Sequence, residues 1–341
     1  MTYVVVTDSE FDDVSVEERI LAPAGVAVVG AHTRDVDTIV RCAEGARALL
    51  VGLAPVTGAL LDRLPKVELV VRYGVGVDNV DLEAATARGV AVCNVVDYGT
   101  EEVAAHAAAL TLATWRHVPI LDRAVRAGEW NYTSAGVIPR LSESTLGLVG
   151  FGRIGRDTAA GLAPWFGSVI AADPYAPADG WPGNVARVEI DEVFERADAI
   201  SLHLPLSDET RHIVDARRLA TVRPTTVLVN TARGGLVDVD ALHAALEEGR
   251  LRAAGLDVLP EEPPAADHPI LRHPRVTLTP HMGWYSEVAG VDLRRIAAEQ
   301  VAAWFSGQRP RWQISGPPPR DPVSRRDPIV SGTHVDSEER T

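Results

Sequence analysis

Residues 145–163 read TLGLVGFGRIGRDTAAGLA. An apolar run, Thr145–Val149, is followed by Gly150, Gly152 and Gly155 in G-x-G-x-x-G spacing and then by a segment of helical character. In a strand-turn-helix unit the first glycine permits the tight turn. The second lets the backbone approach a pyrophosphate, and the third lets the helix pack closely on the strand. The helix N-terminus then presents its free N–H groups to the phosphates. That spacing alone also occurs in unrelated turns, so its context decides the reading. The next strand, SVIAADPY (168–175), ends in Asp173, 18 positions after Gly155, where a carboxylate hydrogen-bonds the adenosine ribose hydroxyls. Such a carboxylate repels a 2′-phosphate, and AADPYAPADG holds no arginine to receive one. NAD is therefore expected rather than NADP.

Around this unit, short β-branched runs alternate with Ala- and Leu-rich segments of helical period. YVVV, VAVV, ALLVG, ELVVR and VAVCN mark five strands before residue 95, and SVIAAD, AISLHLP, TTVLVN, AAGLDV and RVTLTP continue the series begun by TLGLVG. The alternation implies an α/β fold with two Rossmann-like parallel-sheet domains. Between the series, TEEVAAHAAALTLATW (100–115) predicts a long connecting helix with Thr100 as N-cap and two acids in its first turn, where the helix dipole favours negative charge. Its alanines let another helix approach closely, for domain packing or a dimer contact. EVAGVDLRRIAAEQVAAWF (287–305) predicts a late amphipathic helix that returns to the first domain. From Ser315 on, prolines and charges with few large apolar residues predict a disordered tail, 315–341.

At 341 residues the chain is long enough for two domains that each bury a core without disulfides or metal. Hydrophobic residues at 46% and charged residues at 23% place it among globular chains. The opening MTYVVVTDSE lacks a basic leader, and no apolar run approaches the roughly 20 residues that span a bilayer. A cytoplasmic location without membrane association is expected. Cys42 and Cys93 lack CxxC spacing and neighbouring histidines, which predicts buried free thiols and no metal site. The net charge of −14 opposes nucleic acid and anionic lipid, so a site for an acidic metabolite must supply its own arginine.

Three residues fit such a site. TTVLVNTARGGLVD (225–238) is a strand that ends in Asn230, Thr231, Ala232 and Arg233, placing Arg233 at the carboxyl edge where open α/β sheets bind ligands. Its planar fork suits a 2-oxo acid carboxylate, which it can hold while polarising the adjacent carbonyl. AAGLDVLPEEPP ends its strand at Asp257 and continues into a proline-stiffened loop where either Glu261 or Glu262 could pair with an imidazole. His281 follows the strand RVTLTP at the same rim, where a histidine can protonate a forming alkoxide during hydride transfer. No GxSxG elbow, HExxH or paired cysteines point to other chemistry.

RYGVGVDNVD, LVGFGRIG, DPY, VNTARGGLVD, GLDVLPEEPP and TPHMGWYSE together resemble, in order and spacing, the D-isomer-specific 2-hydroxyacid dehydrogenase family over residues 40–310. AVCNV, NTARGGLVD and the WYSE after His281 resemble its C-terminal-binding-protein branch. The resemblance implies that Arg233 binds and polarises substrate, that Glu262 pairs with the histidine, and that His281 is the acid/base. It also implies that Val75 and Gly76 hold the substrate carboxylate through their N–H groups and that Trp284 lines the substrate pocket. Gly150, Gly152, Arg153, Ile154, Gly155, Asp173, Leu204, Pro205, Thr210, Thr231, Ala232 and Asp257 would form the NAD site. The implied substrate domain is discontinuous, 1–99 with 286–314, around a nucleotide domain of 100–285 that forms a homodimer. Where the family often has small residues this chain has Trp284, which implies a narrower pocket for apolar or sulfur-bearing 2-oxo acids. The competing readings are an NAD(H)-sensing, corepressor-like interaction protein and a dehydrogenase of a phosphonate-type acid.

Overall fold

The computed structural model describes residues 2–11, 13–177 and 181–319. The expected tail lies outside these from residue 320 onward. The chain forms two compact units, one built from residues up to Val96 and from Val291 onward, the other from Asp97–Gly290.

In the first unit the elements run β1 (Thr2–Val6), α1 (Ser15–Leu21), β2 (Val26–Gly30), α2 (Val36–Ala43), β3 (Ala48–Val51), α3 (Gly58–Asp62), β4 (Leu69–Arg72), α4 (Leu82–Ala87) and β5 (Ala91–Cys93). The strands are short and apolar on both faces, as a sheet covered on both sides requires. Asp35, Thr57 and Asp81 cap α2, α3 and α4 by accepting the N–H of Thr38, Leu60 and Ala84.

The second unit runs α5 (Thr100–Trp115), α6 (Val118–Arg126), β6 (Thr145–Val149), α7 (Arg153–Leu162), β7 (Ser168–Ala172), β8 (Val185–Arg187), α8 (Ile190–Arg196), β9 (Ala199–Leu202), α9 (Ala216–Leu219), β10 (Val227–Asn230), α10 (Val239–Glu247), β11 (Ala253–Leu256) and β12 (Val276–Leu278). Then α11 (Glu287–Phe305) carries the chain back, and β13 (Gln313–Ser315) joins the first sheet.

The first sheet has strand order β13-β5-β4-β3-β1-β2 and is parallel except for β13, which pairs antiparallel with β5 through Gln313↔Cys93 and Ser315↔Val92. Ser315, expected as the first residue of the tail, is therefore strand. The second sheet is wholly parallel, in the order β12-β11-β10-β9-β6-β7-β8. Its order reverses at β6, which lies between β7 and β9, and a crevice opens at such a switch point beyond the strand ends. Alternate residues of its strands feed two cores: Val149, Ile170, Ile200 and Leu228 on one face, Leu148, Ala171, Ala199 and Val227 on the other. Truncating a fully buried leucine such as Leu148 costs about 2–5 kcal/mol.

Two expectations need correction. The N-cap of α5 is Gly99, and Thr100 is its first helical residue. A Cβ at Gly99 would sit 3.1 Å from the Trp284 carbonyl oxygen, so close packing selects glycine at the cap. Cys93 is a buried thiol, pushed up to about 12 by desolvation, but Cys42 is only partly buried.

Candidate active site

Gly150, Asp173, Arg233, Asp257, Glu262 and His281 all belong to the second unit and follow the carboxyl ends of its strands. Gly150 has φ +91°, and a Cβ there would lie 2.4 Å from the His203 carbonyl oxygen. Only glycine makes this turn beneath Leu204. A Cβ at Gly155 would lie 2.5 Å from the Gly150 carbonyl oxygen, so helix and turn touch. Around Gly152 a Cβ would meet nothing, and no side chain caps α7, which leaves its first N–H groups directed at open space. Arg153 opens α7 and pairs with Asp97, while Ile154 follows, half-buried.

Asp173, at the end of β7, is tied to this turn. Its Oδ2 accepts Phe151 N–H at 2.8 Å, and its Oδ1 accepts Tyr175 and Ala176 N–H at 2.9 and 3.1 Å. Those bonds fill most of its acceptor capacity and leave Oδ2 the freer oxygen for a ribose hydroxyl. The fold also brings an arginine that the local sequence lacks: Arg187, on β8, donates to the Asp173 carbonyl at 3.3 Å and lies over the Trp181 ring.

Opposite the turn, Thr210 shapes the loop after β9. Its hydroxyl donates to the Pro205 carbonyl at 2.7 Å and accepts Ser207 N–H at 2.8 Å. Beyond β10, Asn230 is fully buried; its side chain accepts Ala232 N–H at 3.0 Å and donates to the Arg233 carbonyl at 2.8 Å. This latch fixes the turn that carries Thr231, Ala232 and Arg233. The Thr231 hydroxyl is buried without a hydrogen-bond partner, a polar atom that a bound group could satisfy. Arg233 is half-buried and its guanidinium donates to the Ala232 carbonyl at 2.7 Å.

The next residue brings the β10 and β11 loops together. A Cβ at Gly234 would fall 1.9 Å from the Leu259 carbonyl carbon, so the backbone after Arg233 lies directly on Leu259–Pro260. Leu259 N–H in turn donates to Glu262 Oε1 at 2.9 Å, and Glu262 Oε2 lies 2.6 Å from His281 Nδ1. Of the two glutamates left open by the sequence, Glu261 is exposed and Glu262 makes the contact. Glu262 and His281 are in direct contact, and the backbone that follows Arg233 packs on the turn from which Glu262 projects. With Nδ1 engaged, the imidazole keeps Nε2 for another partner.

His281 itself has φ +54°, a left-handed conformation uncommon outside glycine. Asp257 holds it: its carbonyl accepts His281 N–H at 2.8 Å, Oδ1 accepts Met282 N–H at 3.0 Å and Thr279 Oγ1 at 2.6 Å, and Oδ2 accepts Gly283 N–H at 2.9 Å. His106 of α5 adds Nε2 at 3.0 Å from Thr279 Oγ1 and 3.3 Å from Asp257 Oδ1. Burial works against ionisation of Asp257, but the bonds from His106, Thr279, Gly283 and Met282 outweigh it and hold the carboxyl at about 2. Trp284 follows, its ring between Tyr98 at 6.1 Å and Tyr285 at 5.7 Å.

Val75 and Gly76 belong to the first unit, in the loop after β4, where Asn94 Nδ2 donates to the Val75 carbonyl at 2.7 Å. Sequence reasoning missed Asn230, Thr279 and His106 as parts of the site. Asn230 had a signal in its place at a strand end; His106 had none, since its partners stand 151 and 173 residues away. Among the described residues no His, Cys, Asp and Glu group could hold a metal, and no helix is long and apolar enough to cross a membrane.

Known proteins are similar to this chain in sequence and in fold. Residues 108–283 match the family described as "D-isomer specific 2-hydroxyacid dehydrogenase, NAD binding domain". D-3-phosphoglycerate dehydrogenase of Mycobacterium tuberculosis (strain ATCC 25618 / H37Rv) is 40% identical over 297 residues, covering 84% of this chain and 56% of its own length, so this chain spans little more than half of that relative. Glyoxylate reductase of Thermococcus litoralis is 36% identical over 259 residues, 74% of this chain and 78% of its own. Among solved structures, D-lactate dehydrogenase from Aquifex aeolicus, complexed with NAD and lactic acid, superposes with a TM-score of 0.84 at 25% identity, covering 93% of this chain and all of that one.

Proposed function

Because the chain belongs to the D-isomer-specific 2-hydroxyacid dehydrogenase family, we propose that it is an NAD-dependent oxidoreductase that interconverts a 2-oxo acid and its D-2-hydroxy acid. The Glu262–His281 pair, with Arg233 on the adjoining loop that packs against it, carries this reading. A nucleotide sensor would need no such set.

The second unit suits a dinucleotide: an open turn at Gly152, an uncapped α7 N-terminus, Asp173 beside the turn and an orphan Thr231 hydroxyl. Gly150, Gly152, Arg153, Ile154 and Gly155 would hold the pyrophosphate, and Asp173 the adenosine ribose. Leu204, Pro205, Thr210, Thr231, Ala232 and Asp257 would flank the remainder. The Asp173 carboxylate favours NAD over NADP by repelling a 2′-phosphate. When bound, the cofactor supplies or takes the hydride.

Arg233 binds the acid through its guanidinium and polarises the C2 carbonyl. His281 gives its Nε2 proton to the carbonyl oxygen in reduction and takes it back in oxidation. Glu262, on Nδ1, fixes the orientation of the ring. Val75 and Gly76 are proposed as N–H donors to the substrate carboxylate. The aromatic group of Tyr98, Trp284 and Tyr285 supports an apolar side chain on the substrate.

A homodimer through the second unit belongs to the same proposal, supported by the exposed apolar side chains of Trp130, Tyr132 and Val137 and of Val118 and Val125 on α6. A cytoplasmic site of action is also proposed, in keeping with the free thiols.

A panel of 2-oxo acids with NADH, followed by loss of NADH absorbance, tests the activity. Arg233→Ala should abolish turnover. His281→Ala should lower it by about 10²–10⁴-fold with NADH affinity little changed. Normal activity in both variants on every accepted acid would refute the proposal.

A further inference from the structure

We propose that His106 is a positioning residue for the reaction at His281, acting through Thr279 and Asp257 to fix the backbone of residues 279–283. This rests on His281 being the acid/base.

The direction of each hydrogen bond follows from the donors available. Thr279 has one hydroxyl hydrogen, and at 2.6 Å it goes to Asp257 Oδ1, because an ionised carboxylate can only accept. The Thr279 oxygen can therefore only accept from His106 Nε2 at 3.0 Å, which makes Nε2 the protonated nitrogen. The same N–H lies 3.3 Å from Asp257 Oδ1 and so bridges hydroxyl and carboxylate.

The hub of this network is Asp257, 3% exposed. It collects the N–H groups of three consecutive residues, His281 on its carbonyl and Met282 and Gly283 on its carboxylate. Those bonds hold the backbone around His281, whose φ is +54°. Glu262 fixes the imidazole from the side, and Asp257 fixes the backbone from below.

His106 closes the open side of the hub. A Cβ at Gly283 would come within 3.2 Å of His106 Cδ2 and 3.0 Å of Asp257 Oδ2, so ring and carboxylate together flank the Gly283 backbone and leave little room for a side chain there. Without the ring, the Thr279 oxygen and one side of Asp257 lose a donor, and the wall against Gly283 is gone. Glu102, one turn earlier on α5, accepts the Ser286 hydroxyl at 2.7 Å, so the same helix anchors the loop at both ends.

Three variants separate positioning from bulk packing. His106→Leu keeps volume and removes the donor. His106→Gln places an amide N–H near the position of Nε2. Thr279→Val removes the bridging hydroxyl with little change of shape. Two readouts are taken, steady-state kinetics with NADH and a 2-oxo acid, and backbone hydrogen exchange in peptides covering 279–285.

In His106→Leu and Thr279→Val we expect kcat to fall about tenfold, with the KM for NADH within about threefold of wild type, as a small misplacement of a reacting group produces. Exchange at Met282 and Gly283 should accelerate in both. His106→Gln should match wild type within about threefold in both readouts. Unchanged exchange at 281–283 in His106→Leu, or a His106→Gln protein as impaired as His106→Leu, would overturn the proposal. If His106→Leu fails to fold, Thr279→Val and His106→Gln decide the question by the same criteria. A wild-type protein inactive on every 2-oxo acid would instead refute the acid/base reading of His281, while the exchange comparison would still show whether His106 holds the loop.

Discussion

Asp257 gains more from its hydrogen bonds than it loses by burial, and its stability contribution depends on pH in a definite direction. Its folded pKa, about 2, lies below the ordinary 3.8, so the ionised form stabilises the fold above the ordinary carboxyl range. That contribution fades as pH falls from about 4 toward 2. Asp257→Asn keeps one acceptor oxygen but turns an NH₂ toward groups that donate, and should cost about 1–3 kcal/mol at neutral pH. Urea unfolding of wild type and variant at pH 7, 5 and about 3.5 checks this. The gap should be widest at pH 7 and 5 and narrower at the lowest pH. A constant gap would mean that the carboxylate charge plays no part. Reading Asp257 as a strand end came directly from the sequence. Its three-way hold on residues 281–283 did not, since a carboxylate at a strand end looks the same whether it faces a ligand or a loop.

The elements divide by how much local chemistry marks them. β6 and α7 announce themselves because an apolar run meets glycines whose positions the turn geometry dictates. β8 was not legible: Val-Ala-Arg is three residues long with two of them exposed, and it becomes a strand only because β7 offers an edge through Val169, Ile170 and Ala171. At α5 Thr100 has the better cap chemistry, yet Gly99 is the N-cap, where it packs against the Trp284 carbonyl. Contacts between loops follow the same logic. Gly234 looks like any turn glycine in sequence, yet the β10 and β11 loops can nest only because it lacks a Cβ. Gly234→Ala should therefore push Leu259 away and loosen the Glu262 contact that its N–H makes. We expect a stability loss of about 1–3 kcal/mol by overpacking and a clear fall in turnover. Gly161→Ala, on α7 with open space around it, is the control; it should be neutral or stabilising by up to about 1 kcal/mol. Urea midpoints and kcat for the two variants decide between a local and a general effect of an added methyl group.

At the scale of the whole chain, the first unit must be completed by residues from both ends of the sequence, and a buried ion pair makes that closure specific. Glu17 of α1 and Arg294 of α11, 277 residues apart, are 2% and 6% exposed. Arg294 donates to both Glu17 oxygens, at 2.7–3.1 Å, and to the Asp13 carbonyl at 2.8 Å, while the Tyr73 hydroxyl donates to Glu17 at 2.8 Å. Burial, and then the Glu17 charge, raise the Tyr73 phenol well above its ordinary range, so it stays a donor. Nothing in the local sequence of either helix signals this pairing, because each residue alone reads as a solvated charge on an amphipathic face. Arg294→Met would strand the Glu17 carboxylate in the core and should cost about 3–5 kcal/mol, whereas adding Glu17→Gln should recover part of the loss by removing the unpaired charge. Hydrogen exchange can assign the damage by region. Peptides from residues 2–96 should lose protection in Arg294→Met and regain part of it in the double variant, while peptides from 97–290 keep theirs, since no residue of the pair belongs to that unit. Equal loss of protection throughout would mean that the two units unfold as one.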